Sequence, residues 1–303
     1  MPKVVQALLI DLNGTLHVGS TPTPRAVAAL ERLRAARVPF VLCSNNTRES
    51  ETRLLSTLGG MGLRAAPHEL MTSLGACRAL VEKRGLTPFL LLAPDALDEF
   101  KALPAHPPAE CDAVVIGLHP PGFGYENLNT AFRILKQEPV GPVDPAEGRT
   151  AASSAAVSRR PSPSPSPSPK GRKPVLIAPH KAAYSQANAT AAFPAGLSLG
   201  IGPYVAALEY ASGVKAEVVG KPTRAFFELA LARLRSGGWD GEDADVAIVG
   251  DDVDNDLGGG ARELGLQRIL VRTGKYRPGA EEGAHPPNGV YDSFADYVDV
   301  ILT

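Results

Sequence analysis

A chain of 303 residues, 44% of them hydrophobic, is long enough for two domains or for one large α/β unit carrying an insertion, and it can bury a substantial core. Its 31 Lys and Arg against 32 Asp and Glu leave a net charge of −1, which excludes a general electrostatic pull toward nucleic acid or a membrane surface, so partners have to be sought at local sites. Cys43, Cys77 and Cys111 are odd in number, far apart and without metal-ligand spacing, so neither a disulfide framework nor a zinc site is indicated. No apolar run approaches the roughly 20 residues of a membrane span, and "MPKVVQ" is too short to serve as a leader, so the expected location is the cytoplasm.

In chain order, "KVVQALLI" is nearly continuous in Val, Leu and Ile, the pattern of a strand buried on both faces of a parallel sheet. After a Gly/Pro-rich turn, Thr23 is placed to cap a helix with Pro24 at its first position, and "RAVAALERLRAAR" keeps helical spacing. A second buried strand, "VPFVLCSNNT", ends in small polar residues, and "RESETRLLSTL" is again amphipathic. Strand and helix alternating through short links is the pattern of a doubly wound sheet, whose ligand crevice lies at the carboxyl ends of its strands. From about Leu74, "LGACRALVEKRG", "PFLLLA", "ALDEFKAL", "CDAVVIGL" and "YENLNTAFRILKQ" alternate in the same way and can stand as a second α/β unit. The segment from about 140 to 174 has almost no large apolar residues and carries alternating Ser-Pro, so it should be extended and disordered. It reads as a solvated insertion, or as a phosphorylated or Pro-recognised segment with basic flanks. The strand "VLIA" follows, then the Gly-rich turn and helix of "LGIGPYVAALEYASG", the run "KAEVVGKP", the strand-loop-helix "DVAIVGDDVDNDLGGGARELG", the strand "QRILVRTG" and a final "DYVDVIL".

Singly, the polar clusters in this chain are weak signals: a strand-terminal Asp is often a cap, "SNNT" a turn, "GKP" a loop, "GDDVDND" a solvated surface. Their order carries more. A strand ending in Asp-x-x-Gly-Thr, a strand ending in Ser-Asn-Asn, a Gly-Lys-Pro and a strand ending in Gly-Asp-Asp-x-x-x-Asp all fall at carboxyl ends, which a doubly wound sheet brings together.

With these four motifs in this order the sequence resembles the haloacid dehalogenase superfamily of hydrolases. "DLNGT" (Asp11 to Thr15) matches the family's nucleophile motif, Ser44 in "LCSNNT" its phosphate-binding hydroxyl, Lys221 in "VVGKP" its lysine, and "VGDDVDND" its acidic motif. The resemblance implies a doubly wound parallel-sheet (Rossmann-like) core at 1–73 and 215–303, with an inserted α/β cap domain at 74–214. The position of that insertion marks the branch containing phosphoglycolate, pyridoxal-phosphate and nucleotide phosphatases. It further implies a Mg²⁺-dependent phosphatase for a small phosphorylated substrate, with no nucleic acid or membrane partner and room for a homodimer through the cap.

In that reading Asp11 attacks phosphorus, and Asp11, the backbone carbonyl of Asn13 and Asp251 offer hard oxygen ligands to Mg²⁺. Ser44 and Lys221 bind the phosphoryl oxygens, with donors around Asn45 and Asn46; Asp256 orients Lys221 or a metal-bound water, and Asp252 stands behind it. His180 in "APHKAAY" is open between a substrate contact and an ordinary surface histidine, and "LGIGPY" between a backbone contact to substrate and a simple turn.

One position departs from the pattern. Phosphatases of this superfamily usually carry Asp two residues after the nucleophile, as general acid and base, and here it is Asn13. An amide has no titrating proton at neutral pH, and the lost role is worth roughly 10²- to 10⁴-fold in rate. Two readings follow. One is a phosphatase for leaving groups that need little help, such as phosphohistidine, phospholysine or pyrophosphate. The other is a catalytically weak phosphate-binding or regulatory protein. Asn13-Gly14 is also a dipeptide prone to deamidation.

Overall fold

Ala7–Asp11, here β1, is buried along its whole length, with Leu8, Leu9 and Ile10 fully withdrawn from solvent. Each such side chain contributes about 1.5–3 kcal/mol of transfer free energy, and burial on both faces puts β1 inside a sheet rather than at its edge. The computed structural model describes residues 5–141, 171–187, 191–194 and 196–303. Most of the Ser-Pro segment expected to be disordered, residues 142–170, lies outside the described residues.

After β1 come a two-residue hairpin, β2 (His17–Val18) and β3 (Thr21–Pro22), then α1 (Ala26–Ala35), β4 (Phe40–Ser44), α2 (Glu51–Gly60), β5 (Leu70–Thr72) and α3 (Ser73–Arg84). Next are β6 (Pro88–Leu91), α4 (Pro94–Leu97), β7 (Ala113–Ile116), α5 (Tyr125–Lys136), β8 (Val175–Ala178), β9 (Tyr184–Ala187), β10 (Gly196–Leu199) and α6 (Gly202–Ser212). The chain closes with β11 (Ala216–Val218), α7 (Arg224–Ser236), β12 (Val246–Gly250), α8 (Gly259–Glu263), β13 (Gln267–Val271), β14 (Gly289–Tyr291) and α9 (Phe294–Ile301).

Two compact units result, one of Met1–Leu80, Ala93–Lys101 and Val218–Thr303, the other of Val81–Leu92 and Ala102–Glu217. The first holds a six-stranded sheet in the order β14-β13-β12-β1-β4-β5, parallel throughout. From β1 the chain builds outward through β4 and β5, then returns to β1's other side and builds through β12, β13 and β14. The order therefore reverses at β1, the switch point beside which ligands bind in such sheets. One face is sealed by Leu30 and Leu33 of α1, Leu54 and Leu58 of α2, and Phe294 and Val298 of α9, packed on Leu8, Ile10 and Leu42.

The second unit is built on a four-stranded sheet, β11-β8-β7-β6, in which β6–β7 and β7–β8 are parallel. Its core joins Val114, Ile116, Leu176 and Ala178 to Ala131, Ile134 and Leu135 of α5 and Val205 and Leu208 of α6. The strands β9 and β10 form a separate antiparallel pair. The α/β class with a doubly wound core and a second α/β sheet is thus the one the sequence pattern implied. Among the described residues no helix is long and apolar enough to cross a membrane.

The start of α1 differs from expectation. Thr23 does not cap it, because its hydroxyl donates back to the carbonyls of Thr15 (2.8 Å) and Leu16 (3.2 Å); Arg25, at φ 59°, enters the helix from the left-handed region instead. The turn after the first strand has taken the cap's hydroxyl. The cap of α2 follows its sequence, with Ser50 Oγ accepting from Arg53 N.

Candidate active site

Asp11 ends β1 opposite Cys43 of β4, and Asp251 follows the last residue of β12, so strand pairing alone brings these loops to one end of the sheet. Lys221 arrives from the stretch between β11 and α7. Its entry is fixed from both sides: Thr223 accepts from Phe226 N to start α7, and Phe226 and Phe227 are wholly buried. Asn45 grips the Lys221 backbone twice, its Nδ2 donating to the Lys221 carbonyl and its Oδ1 accepting from Lys221 N, both at 3.0 Å.

The Lys221 ammonium is 1% exposed and donates to Asp11 Oδ1 at 2.5 Å, Asp256 Oδ1 at 2.8 Å and the Cys43 carbonyl at 3.1 Å. The other oxygen of Asp11 accepts from the Thr15 hydroxyl at 3.0 Å, and the second oxygen of Asp256 accepts from Asp252 N at 3.2 Å. Burial alone would lower the Lys221 pKa; the charges of Asp11 and Asp256 reverse this and raise it, so the ammonium stays charged.

Asp11, Asp251 and Asp256 are all buried and present carboxylate oxygens within 4.8 Å of one another. Lys221 bonds two of the three carboxylates, and the Lys275 charge acts on them together with Asp252, so acidic groups outnumber basic ones at the cluster. The strain shows at Asp251, whose carboxyl is pushed up to about 8 by burial and then by the charges of Asp11 and Asp256. Its Oδ2 accepts from Lys275 N at 2.6 Å, whereas its Oδ1 is buried without a hydrogen-bond partner among the described residues. A divalent cation fits this donor set: hard oxygens, excess negative charge and a buried oxygen that no donor among the described residues satisfies. The backbone carbonyl of Asn13 takes no hydrogen bond among the described residues and adds a further hard oxygen on the same loop.

Of the residues singled out from the sequence, Asp11, Lys221, Asp251 and Asp256 converge at this cluster. Ser44, buried at the end of β4, accepts from Asn46 N at 3.1 Å, and Asn46 Oδ1 accepts from Arg48 N, so the polar turn after β4 is self-bonded. Asn45 is committed to Lys221. Asp252 accepts from the backbone of Asp254 and Asn255 and from Asn255 Nδ2; these bonds outweigh burial and lower its pKa. Asn13 is exposed at the mouth of the β1 loop. Deamidation there would need attack by the Gly14 nitrogen, which instead donates to the His17 carbonyl at 2.7 Å. His180 lies in the second unit, its Nδ1 accepting from Ala182 N.

Sequence reasoning missed the turn after β13. Thr273 Oγ1 donates to the Gly14 carbonyl at 2.5 Å, Lys275 N holds Asp251, and Lys275 Nζ reaches Asp252 at 3.4 Å. Gly14 (φ +109°) and Gly274 (φ +54°) pack around the same carboxylate: a Cβ would come within 1.9 Å of Asp251 Oδ2 from residue 14 and 2.2 Å from residue 274. The "RTGK" that closes a buried strand was the available signal, since it falls at the same sheet end as the other four motifs.

A doubly wound sheet with clustered carboxylates at the carboxyl ends of its strands, beside its switch point, defines a class, the Rossmann-like α/β enzymes that work at those strand ends. Sequence comparison narrows it: the pattern of the haloacid dehalogenase-like hydrolases matches residues 8–103, and a second pattern, HAD-hydrolase-like, matches 218–297. The chain is 38% identical over 301 residues to human haloacid dehalogenase-like hydrolase domain-containing protein 2, covering 99% of this chain and 97% of that one. It is 31% identical over 306 residues to human phospholysine phosphohistidine inorganic pyrophosphate phosphatase, covering 98% and 94%. In fold it is similar to the p-nitrophenyl phosphatase of Archaeoglobus fulgidus, with a TM-score of 0.76, 22% identity and coverage of 99% and 100%. This chain belongs to the haloacid dehalogenase-like hydrolase family.

Proposed function

We propose that the chain is a Mg²⁺-dependent phosphatase that acts through an aspartyl phosphate at Asp11, on small phosphorylated compounds whose leaving groups need no proton from the enzyme. N-phosphates of the phosphohistidine and phospholysine type, and pyrophosphate, meet that condition. The observation that carries the reading is Lys221 bonded at once to Asp11 and Asp256, beside the unpartnered buried oxygen of Asp251. The name of the phosphohistidine phosphatase relative supports the substrate class.

Asp11 is held for attack by Thr15 and Lys221, with its carboxylate fixed at both oxygens. Attack on phosphorus makes the Asp11 oxygen-phosphorus bond and releases the leaving group, dividing one displacement into two easier ones. Lys221 and the Ser44 hydroxyl balance charge on the transferring oxygens, and Asp256 keeps the ammonium in place. Asp11, the Asn13 carbonyl and Asp251 would hold Mg²⁺, which when bound screens the two anions from each other and polarises a phosphoryl oxygen. The residues read as a cap, 74–214, would supply selectivity.

Asn13 decides which substrates qualify. It can hold a hydrogen bond but cannot protonate an alkoxide, whereas a nitrogen leaving group carries its own proton and pyrophosphate leaves as a stabilised anion. Replacing Asn13→Asp should raise kcat/KM for an alkyl phosphate by about 10²- to 10⁴-fold and leave kcat/KM for N-phosphates, which reports only the steps through leaving-group release, nearly unchanged. An equal effect on both classes, measured as kcat/KM, contradicts this reading. Tight Mg²⁺-dependent phosphate binding without Asp11-dependent hydrolysis of any tested substrate would instead mark a binding or regulatory protein.

A further inference from the structure

Resting on the phosphatase reading above, we propose that the Lys275 ammonium binds the leaving group, so that the site favours substrates whose departing portion carries its own negative charge, as the second phosphate of pyrophosphate does.

Lys275 is fixed at its root and free at its tip. Its N–H donates to Asp251 Oδ2 at 2.6 Å, and its carbonyl accepts from Arg277 at 3.3 Å. Its side chain is 57% exposed, and among the described residues its ammonium has one hydrogen-bond partner, Asp252 Oδ2, at 3.4 Å. Asp252 does not depend on that contact. Its oxygens already accept from Asp254 N at 3.1 Å, Asn255 N at 2.9 Å and Asn255 Nδ2 at 2.7 Å. A single long contact holds a solvated ammonium weakly, so it can turn to an anion in the substrate at little cost.

The two lysines of the site stand at different depths. Lys221 is 1% exposed and bonded to Asp11 and Asp256, where the transferring phosphoryl group meets the nucleophile. Attacking and leaving oxygens lie roughly in line across phosphorus, so the leaving group departs on the side away from the buried Asp11. Lys275 is rooted at the same sheet end with its tip in solvent, the placement that a leaving-group contact needs. Burial lowers its pKa, but the charges of Asp256, Asp251, Asp252 and Asp11 outweigh burial and raise it, so the side chain is charged and lies within the field of the carboxylate cluster.

Asn13 gives such a cation its importance. The amide cannot protonate a leaving oxygen, whereas a cation beside that oxygen meets the developing charge without moving a proton. With pyrophosphate, the Asp11 oxygen-phosphorus bond forms and the bond from phosphorus to the bridging oxygen breaks. The electron pair stays on the bridging oxygen, paired with Lys275, and phosphate leaves as an anion that takes its proton from solvent. Imidazole leaving N-phosphoimidazole is neutral once protonated and gains nothing from the same cation.

The experiment measures kcat/KM of the full chain with Mg²⁺ for pyrophosphate and for N-phosphoimidazole, in wild type, Lys275→Met, Lys275→Arg and Asp11→Asn. Lys275→Met keeps the backbone N–H that holds Asp251, so it isolates the side chain. The expected result is Asp11-dependent hydrolysis of pyrophosphate that falls in Lys275→Met by about 10²-fold more than hydrolysis of N-phosphoimidazole does, with most of the loss recovered in Lys275→Arg. Equal losses on both substrates, no loss on pyrophosphate, or wild-type hydrolysis of N-phosphoimidazole alone overturns the proposal and leaves the phosphatase reading standing. Absence of Asp11-dependent hydrolysis of either substrate by the wild type overturns both.

Discussion

The Lys221 ammonium donates to Asp11, Asp256 and the Cys43 carbonyl while almost wholly withdrawn from water. Deleting it leaves two buried carboxylates uncompensated, and breaking a buried pair from one side typically costs about 3–5 kcal/mol. Lys221→Met should therefore destabilise the chain by that order as well as abolish turnover. Adding Asp256→Asn removes one of the orphaned charges, so the double variant should be more stable than the sum of the two single losses, by about 0.5–3 kcal/mol in denaturant titrations. Strict additivity would mean that the two groups do not share a network. Asn13 is the opposite kind of residue. It is exposed, its side chain is unbonded among the described residues, and its identity bears on chemistry rather than on the fold.

Among the elements, the turn after β13 ties the loop of β1 to the loop of β12. It does so through a Thr hydroxyl, a Gly without a Cβ and a backbone amide. Gly274→Ala places a methyl against Asp251 Oδ2 and the Gly14 Cα, at a φ that disfavours a side chain. It should cost about 1–3 kcal/mol in stability. It should also weaken Mg²⁺ binding in calorimetry, whereas an unchanged Mg²⁺ affinity would show that Asp251 is not positioned by this turn.

The same turn marks the limit of what the sequence reveals. Asp11, Ser44, Lys221 and Asp251 were legible because each ends or follows an apolar run, and strand periodicity says where such runs end. Lys275 acts on Asp251 through its backbone N–H, which every residue but Pro possesses, so no side-chain pattern announces it. Asn45 was legible as a polar residue beside the site, but not as a clamp on the Lys221 backbone, because that contact joins positions 176 residues apart. Thr23 looked like a cap for α1 because local spacing does not show a competing acceptor at Thr15.

At the scale of the whole molecule, the converging carboxylates and Lys221 all belong to the first unit, whose stability is therefore linked to protons and to a cation. Burial raises the Asp251 carboxyl above its ordinary range of about 4, toward about 8, so between those values the folded state binds more protons than the unfolded one. Stability without a cation should thus fall as pH rises through that window. A divalent cation takes the place of the proton, so the stabilisation on adding Mg²⁺, read from denaturant titrations, should be small near pH 5 and grow toward pH 8, reaching about 2.7 kcal/mol at 100-fold excess over Kd. A Mg²⁺ effect independent of pH would separate the cation from Asp251.

Asp11 is where these scales meet, at the end of a central strand, the lysine's bond and the proposed covalent bond to phosphorus. The most direct measurement is hydrolysis by the full chain of a panel containing phosphohistidine, phospholysine, pyrophosphate, phosphoglycolate and nucleotides, with and without Mg²⁺, for wild type and Asp11→Asn. The account predicts Mg²⁺-dependent release of phosphate from the N-phosphates or pyrophosphate, and its loss in the variant. Retained activity in Asp11→Asn would contradict it.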